Sequence, residues 1–318
     1  MKDLMMLFGV TLSKRYTFKQ KKIFLSETHQ YFQNLDYEIS YQNNKSKLKS
    51  VTNMVIGELD KANVVVVCAY DTPSSVLLPN YLYYPFNIKK NLAQENINLV
   101  LQFVLMGLCF SAIYFLVSPF NTFSSIGKII VSLLCGILGF IAYKLMQGSA
   151  NKVNFNRSSA SVALIGKLAE ELKGNNDIAF VLLDQNINSY EGLKLLKKEL
   201  KNSRKLILYL DCLAYGTYLV CAHNEKMKET ADQLIYHLKP LNIINKTYKP
   251  ERYEETMLKF STNMLVLTNG EIINEQLAVK NTRSRKDYQL DIKRLESIEK
   301  GLGAFLVEVK KCAISHVQ

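Results

Sequence analysis

The chain has 318 residues, with 40 Lys and Arg against 28 Asp and Glu, a net charge of +12 and a pI near 9.2. That length holds one large domain plus an insertion. The basic balance suits nucleic acid or an anionic membrane face, but the lysines are scattered and no Arg-rich arm or aromatic-interleaved basic motif is present, which leaves nucleic-acid binding resting on net charge.

In chain order, the opening MKDLMMLFGV has about seven apolar residues and no small-residue cleavage site before Lys14 and Arg15, so it reads as a strand or helix of the domain, or a short membrane-skimming piece, rather than a signal peptide. Residues 24–35 suit a helix, with Ser26, Glu27 and Thr28 near its start and Tyr31, Phe32 and Leu35 on one face. Residues 37–41 alternate like a strand and 42–49 are turn-like. Residues 53–59 and 64–70 read as strand, turn, strand, the second (VVVVCAY) continuously apolar and therefore buried on both faces. The stretch 77–86 (LLPNYLYYPF) is either an interfacial aromatic belt or a packed loop.

Two apolar runs follow. Residues 97–118 carry no charge in 22 positions, enough for a helix to cross the roughly 30 Å hydrocarbon core of a bilayer. Residues 129–143 are 15 without a charge and reach spanning length if Lys128 and Lys144 snorkel to the interfaces. The expectation is a transmembrane hairpin set into a folded domain, the alternative being two buried core helices. Lys89, Lys90, Lys144, Lys152 and Arg157 flank the runs on the domain side, against Lys128 in the loop, which places both termini and the domain in the cytoplasm of a cell membrane. Cys68, Cys109, Cys135, Cys212, Cys221 and Cys312 lack paired spacing and read as reduced, packed thiols.

Beyond the runs, 159–173 is an amphipathic helix, 177–184 (DIAFVLLD) and 205–212 (KLILYLDC) are buried strands flanking a helix at 190–202, and 215–221 is a shorter strand. A helix at 227–238, a short strand at 264–267 and a long helix at 291–309 complete the chain. Buried strands alternating with helices predict an α/β fold: a mainly parallel mixed sheet covered by helices on both faces, interrupted by the hairpin. The expected organisation is a first part at 1–96, a hairpin at 97–147 (helices about 97–118 and 126–146) and a second part at 148–318.

Five segments in order, NMVIGELDKANVVVVCAYDTP, NRSSASVALIGKLAEEL, IAFVLLDQNINSYEGLKLLKK, KLILYLDCLAYG and VKNTRSRKDYQLDIKRL, resemble the two-zinc aminopeptidase family, peptidase family M-28, with its glutamate carboxypeptidase-like and transferrin-receptor-like members. The resemblance covers roughly 53–85 and 150–310. It implies a sheet that presents, at its strand ends, a His-x-Asp, a bridging Asp, a Glu-Glu pair, another Asp and a late His. Five of those residues hold two zinc ions, which polarise a scissile carbonyl and generate hydroxide while the first Glu moves the proton.

Carried over residue by residue, the pattern fails at most positions. His-x-Asp falls on Ala69-Tyr70-Asp71, the bridging Asp on Arg157, the Glu-Glu pair on Asn186 and Ile187, and the late His on Asn281, while Asp211 matches. One carboxylate beside a guanidinium is a poor cage for two divalent ions, so the expectation is no catalytic residue, no metal and no cofactor, with Asp71, Arg157 and Asp211 left as a vestigial pocket. Arg157 is expected either to pair with Asp211 or Asp71 or to be a solvated loop residue, and Asp71 either to mark an active loop or to cap a turn. Lys280, Arg283, Arg285 and Lys286 read as a solvated loop or a site for lipid heads or an acidic partner. His29, His223, His237 and His316 match no ligand position. The expected function is a membrane-anchored pseudopeptidase that binds a peptide or a membrane protein partner, such as a peptide-handling transporter. The alternative is an active membrane-bound zinc aminopeptidase with relocated ligands.

Overall fold

The computed structural model describes residues 1–45, 50–187, 189–201 and 204–315; the side chain of Cys312 and all of His316 lie outside what is described. Among the described residues ten strands form one mixed sheet: β1 (Ile39–Lys45), β2 (Ser50–Ile56), β3 (Val64–Ala69), β4 (Leu82–Tyr83), β5 (Ile178–Leu183), β6 (Leu206–Asp211), β7 (Tyr218–Asn224), β8 (Ile243–Tyr248), β9 (Met264–Ile273) and β10 (Gln276–Lys280). Its centre is parallel, in the order β5-β3-β6-β9. β2 adds antiparallel to β5 and β1 antiparallel to β2, while β7 adds antiparallel to β9 and β8 parallel to β7. The far end of β9 turns into β10, whose last residues pair with the two-residue β4.

The sequences IAFVLL, VVVVCA and LILYLD are buried along their whole lengths because helices cover both faces. One face packs against α1 (Lys2–Met5, continuing in a π-helical turn over Met6–Thr11), α2 (Phe18–Gln33), α5 (Ala160–Glu171), α7 (Lys228–His237) and α8 (Ile292–Ser315). α2 starts six residues before the expected helix because Thr17 and Gln20 form a reciprocal capping box there. The other face is covered by α6 (Glu191–Leu200) and by the turns carrying Met257, Leu258 and Phe260. α5 is apolar nearly all round and lies buried between the sheet, α1 and α8.

Between β4 and β5 the chain leaves the domain as α3 (Ile88–Val117) and α4 (Ser125–Gln147), which pack against each other. Both are long and apolar enough to cross a membrane. Their most apolar windows are 0% and 11% buried, and Phe103, Leu108, Phe115, Ile129, Leu133 and Phe140 are exposed. Among the described residues these windows are not buried within the domain, as the alternative expected from sequence would have them.

α3 begins nine residues before the expected 97. Its first turns carry Asn91, Gln94, Glu95 and Asn98 on one face, and this stripe docks on residues 77–84. Asn91 bonds both backbone groups of Tyr84, at 2.9 and 2.8 Å, and Gln94 both groups of Leu82, at 3.2 and 2.6 Å. Asn98 Oδ1 accepts from the Leu77 N–H, and Glu95 from the Tyr81 hydroxyl. Tyr81, Tyr83, Tyr84 and Phe86 are consequently buried in the domain, and the interfacial-belt reading of 77–86 is wrong. Arg283 is equally misplaced as loop solvent: it is buried, pairs with Glu95 and bonds Ser74. At the other root of the hairpin, Gly148 sits at φ +69° against the Tyr16 hydroxyl, and Ser75 N–H donates to the Ser149 carbonyl.

Candidate functional site

Open α/β sheets build ligand sites where the carboxyl ends of parallel strands meet. Here β3 ends at Ala69 and leads to Asp71, β5 leads to Asp184 and Asn186, and β6 ends at Asp211. The loop before α5 makes a π-helical turn over Phe155–Ser159 and carries Arg157 across these ends.

Arg157 and Asp211, each 2% exposed, form a buried ion pair between Nη1 and Oδ1. The second Asp211 oxygen accepts from the Tyr83 hydroxyl at 2.8 Å, and the guanidinium lies 3.9 Å from the Tyr83 ring centroid. Arg157 Nη2 also donates to the Ile187 carbonyl at 3.4 Å. Behind it, the Asp287 carboxylate accepts from the backbone N–H groups of Asn156 and Arg157, at 3.1 and 3.2 Å, holding the turn in place. Burial works against the Arg157 charge, but Asp211 keeps its pKa well above the ordinary value. Burial pushes the Tyr83 and Cys212 protons up, so both stay protonated.

Asp71 makes no ion pair within 4.0 Å among the described residues. Its oxygens accept from the backbone N–H groups of Asn186 (3.0 Å) and Ile187 (3.5 Å), which is the capping role. Burial raises its pKa, with Lys21 opposing from further away. The Asn186 side chain donates to the Tyr209 hydroxyl at 2.6 Å and accepts from the Leu193 N–H, so it fixes the start of α6. Ala69 contributes a β3 pairing with Leu183, without a polar side chain. Asn281, at φ +64°, sits at a turn lining a separate small cavity with Tyr215 and Asp287. The structure thus brings Asp71, Arg157, Asn186, Ile187 and Asp211 together, and leaves Ala69 and Asn281 outside.

About 10 Å³ remains between Tyr83, Arg157, Ile187 and Tyr190, near the least that one water needs. Among the described residues no group of three or more His, Cys, Asp and Glu is placed to hold a metal ion. The donor chemistry around Asp211 does not fit a divalent cation, because both its oxygens are taken and a guanidinium fills the adjoining space. His223 is a core residue bonded to Asn224 and Asn245, and His237 pairs with Glu308.

Three partners escaped the sequence. Tyr83 sits within a tyrosine cluster, with nothing local to single it out. Asp287 lies in a resembling segment but matches no ligand position. Arg15 is fully buried and uses Nε, Nη1 and Nη2 on Tyr70, Phe8 and Leu12 carbonyls and on the Ser158 and Ser159 hydroxyls, at 2.6–2.9 Å. Burial lowers its pKa to about 10, which still leaves it charged near neutrality. It ties the N-terminal helix to the end of β3 and to the turn that presents Arg157.

No family model matches the chain, and no curated protein matches it. Solved structures do. A glutaminyl cyclase of Porphyromonas gingivalis superposes with a TM-score of 0.57 at 10% identity, covering 94% of this chain and 93% of that one. A Zn-dependent exopeptidase of Parabacteroides distasonis gives 0.55 at 8% identity, with 94% and 93% covered. The fold is that of zinc-dependent exopeptidases and glutaminyl cyclases. The aminopeptidase LapA of Legionella pneumophila shares it, with a TM-score of 0.54 at 10% identity over 97% of this chain and 69% of that chain. The α/β architecture expected from the strand order is therefore present.

Next to the closed Arg157 site, this exopeptidase-like fold leaves a cleft of about 540 Å³. It opens between the strand ends and the root of the α3–α4 hairpin, and Ile187, Glu95 and Arg283 border both spaces.

Proposed function

We propose that this chain is a membrane-anchored pseudopeptidase: an exopeptidase-like domain held to a bilayer by the α3–α4 hairpin, acting as a non-hydrolytic binding subunit for a peptide or for a membrane protein that handles peptides. The observation that carries the reading is the Arg157–Asp211 pair with Tyr83 upon it. In the resemblance drawn from the sequence, Arg157 and Asp211 fall where the family keeps metal ligands, and here a cation and a tyrosine hydroxyl take both oxygens of Asp211, which supports the reading. Both termini and the domain lie on one side of the membrane, because a two-helix hairpin returns the chain to its starting side. Lys89, Lys144 and Lys152 favour the cytoplasmic side by the positive-inside rule; Arg157 no longer counts, being buried.

The test measures metal content and activity on one sample of the full chain in mild detergent, with zinc added and removed. Release of amino acids from peptide amides and cyclisation of amino-terminal glutamine are both followed. The expected result is no stoichiometric zinc and neither activity, with a membrane protein or peptide retained on the purified chain. About two tightly bound zinc ions and zinc-dependent turnover would establish the active-enzyme alternative instead.

A further inference from the structure

The open space beside the Arg157 site lies at the hairpin root instead of over Asp211. Around Arg157 about 10 Å³ remains, whereas on the other side of Ile187 the cleft holds about 540 Å³, within the usual range for small-molecule sites. Its inner part is polar, formed by Asp71, Thr72 and Gln185 from the loops after β3 and β5. Its outer wall is Leu99, Gln102 and Met146 of α3 and α4. Leu99 and Met146 are 49% and 69% exposed, and their surface continues along the hairpin into Phe103.

The cations bordering the cleft are engaged. Lys21 pairs with Asp184 at 2.5 Å and Arg283 with Glu95. Asp71 is different: it is 7% exposed, bonded to backbone N–H groups, and without an ion pair within 4.0 Å among the described residues. A desolvated carboxylate at the inner end of a cleft is stabilised by a cation that enters it. An apolar chain laid against Leu99 and Met146 stays on the hairpin surface that faces lipid, so the molecule keeps its chain in the bilayer while its head reaches Asp71. Both features belong to one kind of molecule.

We propose that the cleft at the hairpin root binds an amphiphile with an ammonium head, entering from the bilayer, its head against Asp71 and its chain along Leu99, Gln102 and Met146. This rests on the membrane anchoring proposed above and gives the binding subunit a ligand class. An ammonium group is also carried by soluble amines and by peptide amino termini, but these have no use for the apolar wall.

The experiment follows adducts retained by the full chain released from neutral maltoside micelles in native mass spectrometry. The probes are dodecylammonium, dodecyl sulfate, ethylammonium and trialanine. Dodecylammonium is expected to be retained, and about tenfold less by Asp71→Asn, the loss of one charge pair. Because Asp71 also caps a loop, Leu99→Trp is the second variant; it fills the apolar wall, leaves Asp71 in place and is expected to lower retention as well. Equal retention of dodecyl sulfate, or of ethylammonium or trialanine, would overturn the proposal, as would two folded variants that retain dodecylammonium like the parent. Zinc is read on the same sample: its presence overturns the non-hydrolytic reading, whereas absent zinc with no amine retention overturns this inference by itself.

Discussion

Arg157 and Tyr83 share one carboxylate. Each bonds a different oxygen of Asp211, and the guanidinium stacks on the ring at 3.9 Å. Removing one member leaves buried charge behind. Arg157→Met is expected to cost about 3–5 kcal/mol, because Asp211 is left unpaired in a dry site. Tyr83→Phe keeps the ring and loses one bond to a charged acceptor, about 2 kcal/mol. Arg157→Met with Asp211→Leu should recover most of the single loss, since an apolar pair of similar volume replaces an ion pair at little net cost. Denaturant unfolding of the domain in detergent reads all three.

The α3 amides make a second prediction. Gln94 bonds Leu82 through its backbone N–H and carbonyl, as a neighbouring strand would, and Asn91 does the same for Tyr84. Gln94→Ala strips the two-residue β4 of one side, so about 1–2 kcal/mol of local stability should go. Amide hydrogen exchange across 77–86 is expected to rise, with β3 and β5 unchanged. Equal protection in the variant would mean that β10 holds the strand unaided.

How much of this was legible varies with the range of the interaction. β3, β5, β6 and α5 announce themselves through local periodicity and continuous apolar runs. β4 does not, because it exists where Gln94 and β10 reach it. β8 (IINKTY) and β10 are short and polar in part, and escaped notice. The polar face of Asn91, Gln94, Glu95 and Asn98 reads as loop in sequence, which moved the expected start of α3 to 97. The family pattern brings Arg157 and Asp211, 54 positions apart, together as one of the alternatives it leaves open beside Asp71 and solvent, whereas Tyr83 and Asp211, 128 apart, share no pattern at all. Arg15 has the same difficulty: five neutral acceptors scattered over three segments leave no signature near position 15.

A pH effect should come from the α5–α8 contact. Glu299 is buried against Glu171, and burial together with that neighbour raises its pKa from 4.5 to about 7, while Lys167 and the N-terminal amine pull the other way. The folded state therefore holds this proton more tightly than the unfolded chain. The contribution is fully present below about pH 4.5 and is lost as pH rises through 7. Solvent screening limits its size to about 1–2 kcal/mol. Glu299→Gln cannot ionise, so its unfolding midpoint should stay flat from pH 5 to 8 relative to the parent, and exceed the parent at the upper end.

The hairpin offers the sharpest contrast between water and lipid. Leu108 lies in mid-α3 and is 61% exposed, with the apolar Val104 and Phe115 also exposed along the helix. In water, Leu108→Lys is a surface change expected to fall within about 0.5 kcal/mol and to improve solubility. At the centre of a bilayer the same lysine costs about 3 kcal/mol. A transmembrane α3 therefore predicts that Leu108→Lys weakens membrane integration, seen as protein extracted by alkaline carbonate, while Lys144→Gln at the root has little effect. A parent chain that is itself freed by carbonate, or a lysine variant retained as firmly as the parent, would place these helices in water or against protein instead.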